Sequence, residues 1–492
     1  MMGKKDFKPR IFYRLSLEKM VPQDHLVRAL EKILDMGFIP GLCRKYYSHT
    51  GQPSVDPVVL FKMMLIGYLF GITSERKLAE ECTVNLAFRW YLGYDLDEAT
   101  PNHSVISKAR GRFGKKVFEE FFQEVLGICV KKGLVGGEKI FADGTLIKAN
   151  ASLKSLVARS DAPSPSLSPN EYVEKVFQEN PSKSGDYPEK NDDNNNTSSE
   201  QNYTIKTTRK SYRSRHKSNL DYMSRTDPEA SYVARKGKRM FSYKYHFTID
   251  HKERVITAVA MTPGAVSEDR VLSELLDKQP VQVKEICADS QYGTADNYAM
   301  CWKRDIVPTF PRRSRHFNRN ILSPQKFKYD EEKDIFICPS GNELRRITYD
   351  KRNRRWHYRA RGGVCRLCSL KSVCSPNTKY RSIVRHVDHQ YIEKSLNWLE
   401  SPCAKLSIKE RGCYAEWAIA EAKSLHGLSN TRYRGLERVA IQGLMTASVQ
   451  NIKRLLALYG RERPGNLQIL QRMRDIMVTF RKKMNLTLIE AC

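Results

Sequence analysis

The decisive stretch of the chain is Lys139-Ile-Phe-Ala-Asp-Gly-Thr-Leu-Ile-Lys-Ala-Asn-Ala151. The apolar residues before Asp143 are typical of a short buried strand, and the strand ends on that carboxylate. We expect a tight step at Gly144-Thr145 and then a second extended run, Leu146–Ala149. Because a buried carboxylate is costly unless it is paired or bound, Asp143 is a candidate metal ligand.

A second strand of the same kind occurs at Lys284-Glu-Ile-Cys-Ala-Asp-Ser-Gln-Tyr-Gly293 and ends on Asp289. A third acid is expected from the helical run Tyr414–Lys423, which contains Glu416. Three acids carried on two strands and a helix would converge as oxygen ligands for hard divalent cations.

The sequence leaves the identity of the third acid open, because Glu410 and Glu421 lie near Glu416. Most acids on such a helix belong to a solvated face. Lys423 falls two turns beyond Glu416 on the same helical face, where it could touch a phosphate next to a bound metal. That spacing favours Glu416. Two Mg²⁺ or Mn²⁺ ions held by Asp143, Asp289 and Glu416 would suit an in-line phosphoryl displacement.

The composition points to a polyanionic partner. The chain has 492 residues, enough for two or three domains, and Lys plus Arg number 84 against 55 for Asp plus Glu, a formal net charge of +29. Nucleic acid is favoured over membrane, and a merely soluble basic protein is the alternative. The longest apolar run, Val58–Ile72, is broken by Lys62 and is shorter than the ~20 residues of a membrane span. The 12 scattered cysteines indicate reduced thiols in the cytosol.

The region before residue 136 is predicted to be helical, with Asp24 and Asp56 as helix caps. Its last helix, Val105–Phe113, is basic and is a candidate DNA-binding helix of a helix-turn-helix-like unit. The basic residues are Lys108, Arg110 and Arg112. A plain helical cap domain is the alternative.

Beyond Asp143 we expect a low-complexity insert from about residue 155 to 219, predicted to be disordered, with a basic end at Lys206–Lys217. Alternating residues then predict the strand Phe241–Asp250 and its partner Val255–Met261. A helix, Glu268–Leu276, and the strand Val281–Asp289 follow.

A cysteine-rich insert is predicted over residues 311–385. A zinc ion held by four thiolates would fit Cys338, Cys365, Cys368 and Cys374, with His357 as a spare ligand. The set contains one true C-x-x-C pair, so a group of free thiols in a small β-rich module is the alternative.

Several separate motifs resemble the DDE transposases of bacterial insertion sequences, in the IS eleven-eighty-two group. The similar blocks begin at Tyr46-Tyr-Ser-His-Thr-Gly-Gln-Pro-Ser-Val-Asp-Pro-Val-Val-Leu60 and continue with Phe141-Ala-Asp-Gly-Thr-Leu-Ile-Lys-Ala-Asn-Ala-Ser152 and Ala288-Asp-Ser-Gln-Tyr-Gly-Thr294. The last block is Ala415-Glu-Trp-Ala-Ile-Ala-Glu-Ala-Lys-Ser-Leu-His-Gly427, followed by Arg432-Tyr-Arg-Gly-Leu-Glu-Arg-Val439. The resemblance runs from about Phe7 to Leu455.

The resemblance implies an α/β catalytic core, an RNase H-like mixed sheet flanked by helices, with an all-α N-terminal domain. Its catalytic acids correspond to Asp143, Asp289 and Glu416, and its lysine to Lys423. It further implies binding to double-stranded DNA at terminal inverted repeats, hydrolysis at the element ends, and attack of a freed 3′-OH on target DNA. A homodimer on DNA, in the bacterial cytosol at the nucleoid, is the family-level expectation.

One position departs from the family pattern. Related transposases often carry a Tyr and an Arg upstream of the glutamate, where this chain has Lys409 and Gly412. The neighbouring Arg411 is the candidate replacement for the basic contact to DNA. Two alternatives to a transposase remain: a catalytically silent repressor derived from one, and a metal-dependent endonuclease.

These patterns divide the chain into five parts. They are a helical DNA-binding domain (1–135), the first part of the catalytic core (136–310), the Cys-rich insert (311–385), the C-terminal part of the core (386–460) and a basic C-terminal helix (461–492).

Overall fold

The computed structural model describes residues 15–462, except for residues 49, 51–53, 159–218, 220–221, 236, 312–320, 352 and 362. Most of the predicted low-complexity insert, including Lys206–Lys217, lies outside the described residues. So does nearly all of the predicted C-terminal helix.

Helices make up the N-terminal region as far as it is described. They are α1 (Leu17–Met20), α2 (Leu26–Ile33), α3 (Ile39–Cys43), α4 (Pro57–Leu69), α5 (Glu75–Val84), α6 (Leu86–Leu92) and α7 (His103–Lys131). Asp56 caps α4 as predicted, because its Oδ1 accepts the amide hydrogen of Val58 at 2.7 Å. Asp24 was the wrong residue for the earlier cap, since His25 precedes α2 and its Nδ1 accepts from the amide of Val27.

Helix α7 extends far beyond the predicted Val105–Phe113. It covers 29 residues and contains Gly114 at φ 62°, a conformation that glycine adopts without strain. The side chain of Glu437 lies beside this glycine and accepts the amide hydrogen of Lys115 at 3.1 Å. The kink at Gly114 changes the direction of α7, and residues of α7 on both sides of it belong to the main hydrophobic core.

The central sheet has six strands: β1 (Lys139–Lys148), β4 (Ser231–Arg235), β5 (Lys238–Asp250), β6 (Ile256–Pro263), β7 (Glu285–Cys287) and β8 (Val307–Thr309). Strand β5 is antiparallel to β1, β4 and β6, whereas β7 runs parallel to β1 and β8 parallel to β7. A separate pair, β2 (Leu156–Ala158) with β3 (Tyr222–Ser224), flanks it. Helices α8 (Leu272–Asp277) and α9 (Ala295–Lys303) connect the strands.

The expected tight step at Gly144-Thr145 is absent. Strand β1 continues through both residues, with Asp143 paired with Phe247 and Thr145 paired with Tyr245. The alternating aromatic residues of β5 supply a full-length partner, so that ladder hydrogen bonds hold β1 extended. The predicted strand Val281–Asp289 is shortened to β7, and Asp289 follows the strand end.

A second, antiparallel sheet is formed within residues 328–386. Its strands are β9 (Lys328–Asp330), β10 (Ile335–Ile337), β11 (Glu343–Asp350), β12 (Arg355–Ala360) and β13 (Ser382–His386), and the short helix α10 (Lys371–Cys374) lies between the last two. This sheet has a small core of its own, in which Phe327, Phe336 and Tyr358 are buried.

The chain returns to helices in α11 (His389–Leu399), α12 (Pro402–Ser424) and α13 (Leu436–Glu462). Helix α13 is buried along most of its length. One continuous hydrophobic core contains residues of the N-terminal helices, the central sheet and α13, from Val21 to Leu456. The helical N-terminal region is therefore packed onto the sheet and does not stand apart from it.

Candidate active site

Asp143 lies in β1, and Asp289 follows the end of the neighbouring strand β7. The parallel pairing of β1 with β7 joins Lys139 to Glu285 and Phe141 to Cys287. Each aspartate comes two residues after the last of these pairs, and the charge of Asp289 acts on Asp143. The amide of Gln291 donates to Asp289 Oδ1 at 2.8 Å, which holds that carboxylate in the turn after β7.

The Asp143 carboxylate is largely buried and is balanced by Arg411 of α12. Its side chain is 16% exposed, and Arg411 Nη1 lies 3.0 Å from Asp143 Oδ2. Burial raises the pKa of Asp143, the Arg411 guanidinium and the Gly144 amide act against that rise, and the charge of Asp289 adds to it. Arg411 was predicted to contact DNA; in this structure its charge is directed at the acid.

The glutamates of α12 have three different environments. Glu410 pairs with Lys139 at 2.8 Å, with His251 3.7 Å away. Glu421 is buried between Lys453 and Arg454. Burial would raise the pKa of Glu421, but these two cations and His426 outweigh it and hold the pKa well below its usual range.

Glu416 differs from both, because its side chain is exposed and makes no hydrogen bond or ion pair with the residues that the structure describes. Lys423 lies on the same helix, where its Nζ donates to the carbonyl oxygen of Leu146 in β1 at 3.2 Å. Ion pairing thus commits Glu410 and Glu421 to structural roles, whereas Glu416 remains available to a cation.

Glu268 is an acid that the sequence analysis did not select as a site residue. It is 7% exposed, and Lys244 Nζ lies 3.4 Å from its Oε1. Burial, opposed by Lys244 and reinforced by the charges of Asp289 and Asp143, raises the pKa of Glu268 to about 7. The sequence signal is the acidic pair Glu268-Asp269, which follows the end of β6 at Pro263 by a short loop and begins the next helical segment.

The arrangement of Asp143 and Asp289 fits a divalent cation. Carboxylate oxygens are the ligands that Mg²⁺ and Mn²⁺ prefer. The charge of Asp289 raises the pKa of the buried Asp143 carboxyl, and a cation between the two carboxylates would offset that repulsion. One oxygen of Glu268, Oε2, is buried and has no hydrogen-bond partner among the described residues.

A different group of ligand atoms is already close together. In the described part of the chain, only Asp296, His386 and Asp388 form a set of three or more candidate metal ligands within 4.8 Å of one another. Arg354 pairs with both carboxylates at 2.8 Å. Because that guanidinium already balances the two acids, we interpret this group as an ionic contact between the insert and α9.

The four cysteines singled out in the sequence line one cavity of about 30 Å³ in the insert. The Asn342 amide donates to Cys338 Sγ at 3.4 Å, and Ser340 Oγ lies 3.2 Å from Cys368 Sγ. Within the described residues, no three of the four sulfur atoms lie within 4.8 Å of one another. His357 is not among the lining residues. The described cysteines are all free thiols.

The three residues of α7 that were predicted to bind DNA differ in their exposure to solvent. Lys108 and Arg112 are exposed. Arg110 is 6% exposed, pairs with Glu75 at 2.6 Å and lies over the ring of Tyr433. Arg110 therefore anchors the N-terminal helices to the C-terminal region, and its guanidinium is not presented to DNA.

No helix in the described residues is both long enough and apolar enough to span a membrane.

Three family models match the chain. A transposase domain of the DUF772 type matches residues 15–112, and two models of the transposase DDE domain match residues 204–381 and 337–456. Asp289 lies in the first DDE match and Glu416 in the second, while Asp143 lies between the matched regions.

Among solved structures, the chain is similar to a piggyBac transposase in a cryo-EM synaptic complex with hairpin DNA. The identity is 7% and the TM-score 0.34, with 94% of this chain and 82% of that chain covered. A similarity this weak does not bear on the fold or the function. No curated protein gives a significant match.

Proposed function

Because the chain is a DDE transposase by the domains that it matches, we propose that it binds the terminal inverted repeats of its insertion sequence, cleaves the element ends and joins them to target DNA. The observation that carries this proposal is that Asp143, in β1, and Asp289, just after the parallel strand β7, are close enough for their charges to interact. The element would belong to the IS eleven-eighty-two group, and a dimer of the chain would hold the two ends.

The strand order supports an RNase H-like catalytic core. Strands β6, β5, β1, β7 and β8 follow one another across the sheet; β5 is antiparallel to its neighbours β6 and β1, and β7 and β8 are parallel to β1. Helix α12, which carries Glu416, lies against β1 through the Arg411–Asp143 pair. The acids thus come from the first and fourth strands of such a core and from a later helix.

In this mechanism Asp143, Asp289 and Glu416 would hold two Mg²⁺ or Mn²⁺ ions. Bound there, the ions would activate the attacking oxygen and stabilise the leaving oxygen of an in-line displacement at a DNA phosphate. Lys423 would contact the phosphate beside them; its ammonium group lies against Leu146, three residues beyond Asp143 in β1. Arg411 would turn from Asp143 to the DNA backbone once the carboxylate has another positive partner.

The test is cleavage and joining of a labelled duplex that carries the element's own terminal repeat, in Mg²⁺. We expect Asp143→Ala, Asp289→Ala and Glu416→Ala to abolish both products while DNA binding persists. Glu410→Ala is the matched control on the same helix, because Glu410 is already committed to Lys139. Full activity in any one of the three variants would reject that acid.

The same assay separates the two alternatives. Cleaved but unjoined products from the wild type would indicate an endonuclease. Binding without cleavage would indicate a repressor derived from a transposase.

We further propose one structural Zn²⁺ in the insert, bound by Cys338, Cys365, Cys368 and Cys374. The convergence of these thiols on one small cavity supports this assignment, and so do the hydrogen bonds to the sulfur atoms of Cys338 and Cys368. Zinc would draw the sulfurs into a tetrahedron with Zn–S distances of about 2.3 Å. It would stabilise a sheet whose own core is small.

Elemental analysis of the purified chain should find one zinc per molecule, and Cys365→Ser should remove it and lower the unfolding temperature. Cys403→Ser is the control, because Cys403 is exposed and lies on α12. Zinc that survives Cys365→Ser, or a wild type without zinc, would contradict the assignment.

A further inference from the structure

Glu268 lies against the backbone of the strand that carries the first catalytic acid. A Cβ atom placed on Gly144 would lie 3.0 Å from Glu268 Cδ and 3.2 Å from His246 Nδ1. Only a residue without a side chain leaves room for both groups. The Glu268 carboxylate therefore reaches the residue next to Asp143.

One oxygen of this carboxylate has no partner in the described part of the chain. Lys244 lies near Oε1, whereas the buried Oε2 makes no hydrogen bond with any described residue. The Glu268 side chain is 9% exposed. His246 Nδ1, on the other side of the same small space, is also buried with no hydrogen-bond partner among the described residues. Leaving a buried acceptor unpaired is costly, and a purely structural ion pair gives no reason to retain it.

The charges around Glu268 also point toward a cation. Asp143 and Asp289 act on Glu268 as like charges, and Lys244 opposes them at Glu268, while Arg411 pairs with Asp143. Lys244 itself donates to the carbonyl oxygen of Val266 at 3.0 Å, so its position is fixed by the backbone. A divalent ion between the carboxylates would relieve their repulsion.

We propose that Glu268 is a fourth carboxylate of the divalent-metal site formed with Asp143, Asp289 and Glu416. This inference rests on the proposed function. The competing interpretation is a buried Lys244–Glu268 pair whose free oxygen meets a water molecule shared with His246. The two interpretations differ in whether metal affinity depends on Glu268.

The experiment is a Mn²⁺ titration of the full-length chain without DNA, followed by electron paramagnetic resonance of free Mn²⁺. We expect Glu268→Gln to weaken Mn²⁺ binding at least about tenfold, as losses around metal sites commonly do. Mn²⁺ should correspondingly raise the unfolding temperature of this variant less than that of the wild type. Glu274→Gln is the matched control, because Glu274 is an exposed acid that follows Glu268 closely and pairs with Lys278.

Asp143→Asn in the same titration separates the inference from the function on which it rests. If Asp143→Asn weakens binding and Glu268→Gln does not, Glu268 is a structural residue and the proposed metal site stands. If neither variant changes binding, both proposals fail. Should Glu268→Gln fail to fold, Glu268→Asp keeps the charge and withdraws the carboxylate by one methylene, and unchanged affinity in that variant would overturn the inference.

Discussion

At the residue scale, the environment of an acid decides its role more than its spacing does. Glu410, Glu416 and Glu421 lie on one helix, yet they are respectively paired at the surface of β1, exposed, and buried between two cations. Spacing alone could not separate them. Glu410 and Glu421 have ion-pair partners, whereas Glu416 has none among the described residues.

We predict that Glu421→Gln lowers the free energy of unfolding by about 3–5 kcal/mol, because it leaves Lys453 and Arg454 buried without a counter-charge. Glu416→Gln should change it by less than about 0.5 kcal/mol, as is usual for an exposed position. Denaturant unfolding of the two variants beside the wild type measures the difference. Equal stabilities would mean that the buried cluster contributes nothing.

The ion pairs of Glu421 with Lys453 and Arg454 also make the stability of the fold depend on pH. The folded chain holds the pKa of Glu421 well below its usual range, so this group contributes stability above the ordinary glutamate pKa, about 4.3. The contribution is lost as the pH falls toward the depressed folded value. Unfolding temperatures measured from pH 7 down to pH 3 should therefore fall less steeply for Glu421→Gln than for the wild type. Identical slopes would contradict a stabilising role for the ionised Glu421 carboxylate.

At the scale of the element, helix α7 serves two purposes on different faces. Its buried face, with Phe113, Phe118 and Phe121, belongs to the main core. Arg110 joins that face to Tyr433, which lies shortly before α13. The exposed face carries Lys108 and Arg112, and it is the face that a DNA backbone could reach.

For this helix we predict that Lys108→Ala and Arg112→Ala each weaken binding to duplex DNA. Each should also reduce the slope of the logarithm of the binding constant against the logarithm of the salt concentration by about one. Arg110→Ala should instead lower the unfolding temperature, because Glu75 would lose its partner. Fluorescence anisotropy at several salt concentrations, with melting curves of each variant, tests the division. A normal salt slope in both surface variants would place DNA binding elsewhere.

At the scale of the whole molecule, the helical N-terminal region and the central sheet share one hydrophobic core. Helix α13 lies in that core, and Asn451 on it binds both the amide and the carbonyl of Ile256 in β6. DNA held by α7 would thus be fixed relative to the acids by buried contacts. Such a linkage favours a rigid arrangement over a flexible tether.

The sequence by itself determined the local features of this protein. Apolar periodicity located the strand that carries Asp143, the strand that precedes Asp289 and the helix that carries Glu416, because residues that bury one face recur at the period of the element. Motif resemblance identified the transposase domains. The tight step predicted at Gly144-Thr145 was wrong, because pairing with the partner strand β5 keeps β1 extended through both residues.

Only the tertiary structure decided which side chains meet. Arg411 reaches Asp143 across 268 residues of chain, and Arg110 reaches Tyr433 across 323. Such contacts depend on how strands and helices pack, and no local pattern encodes them. The same packing placed Glu268 beside Gly144 and committed Glu421 to two buried cations, because charges buried in a core must find partners wherever the chain brings them.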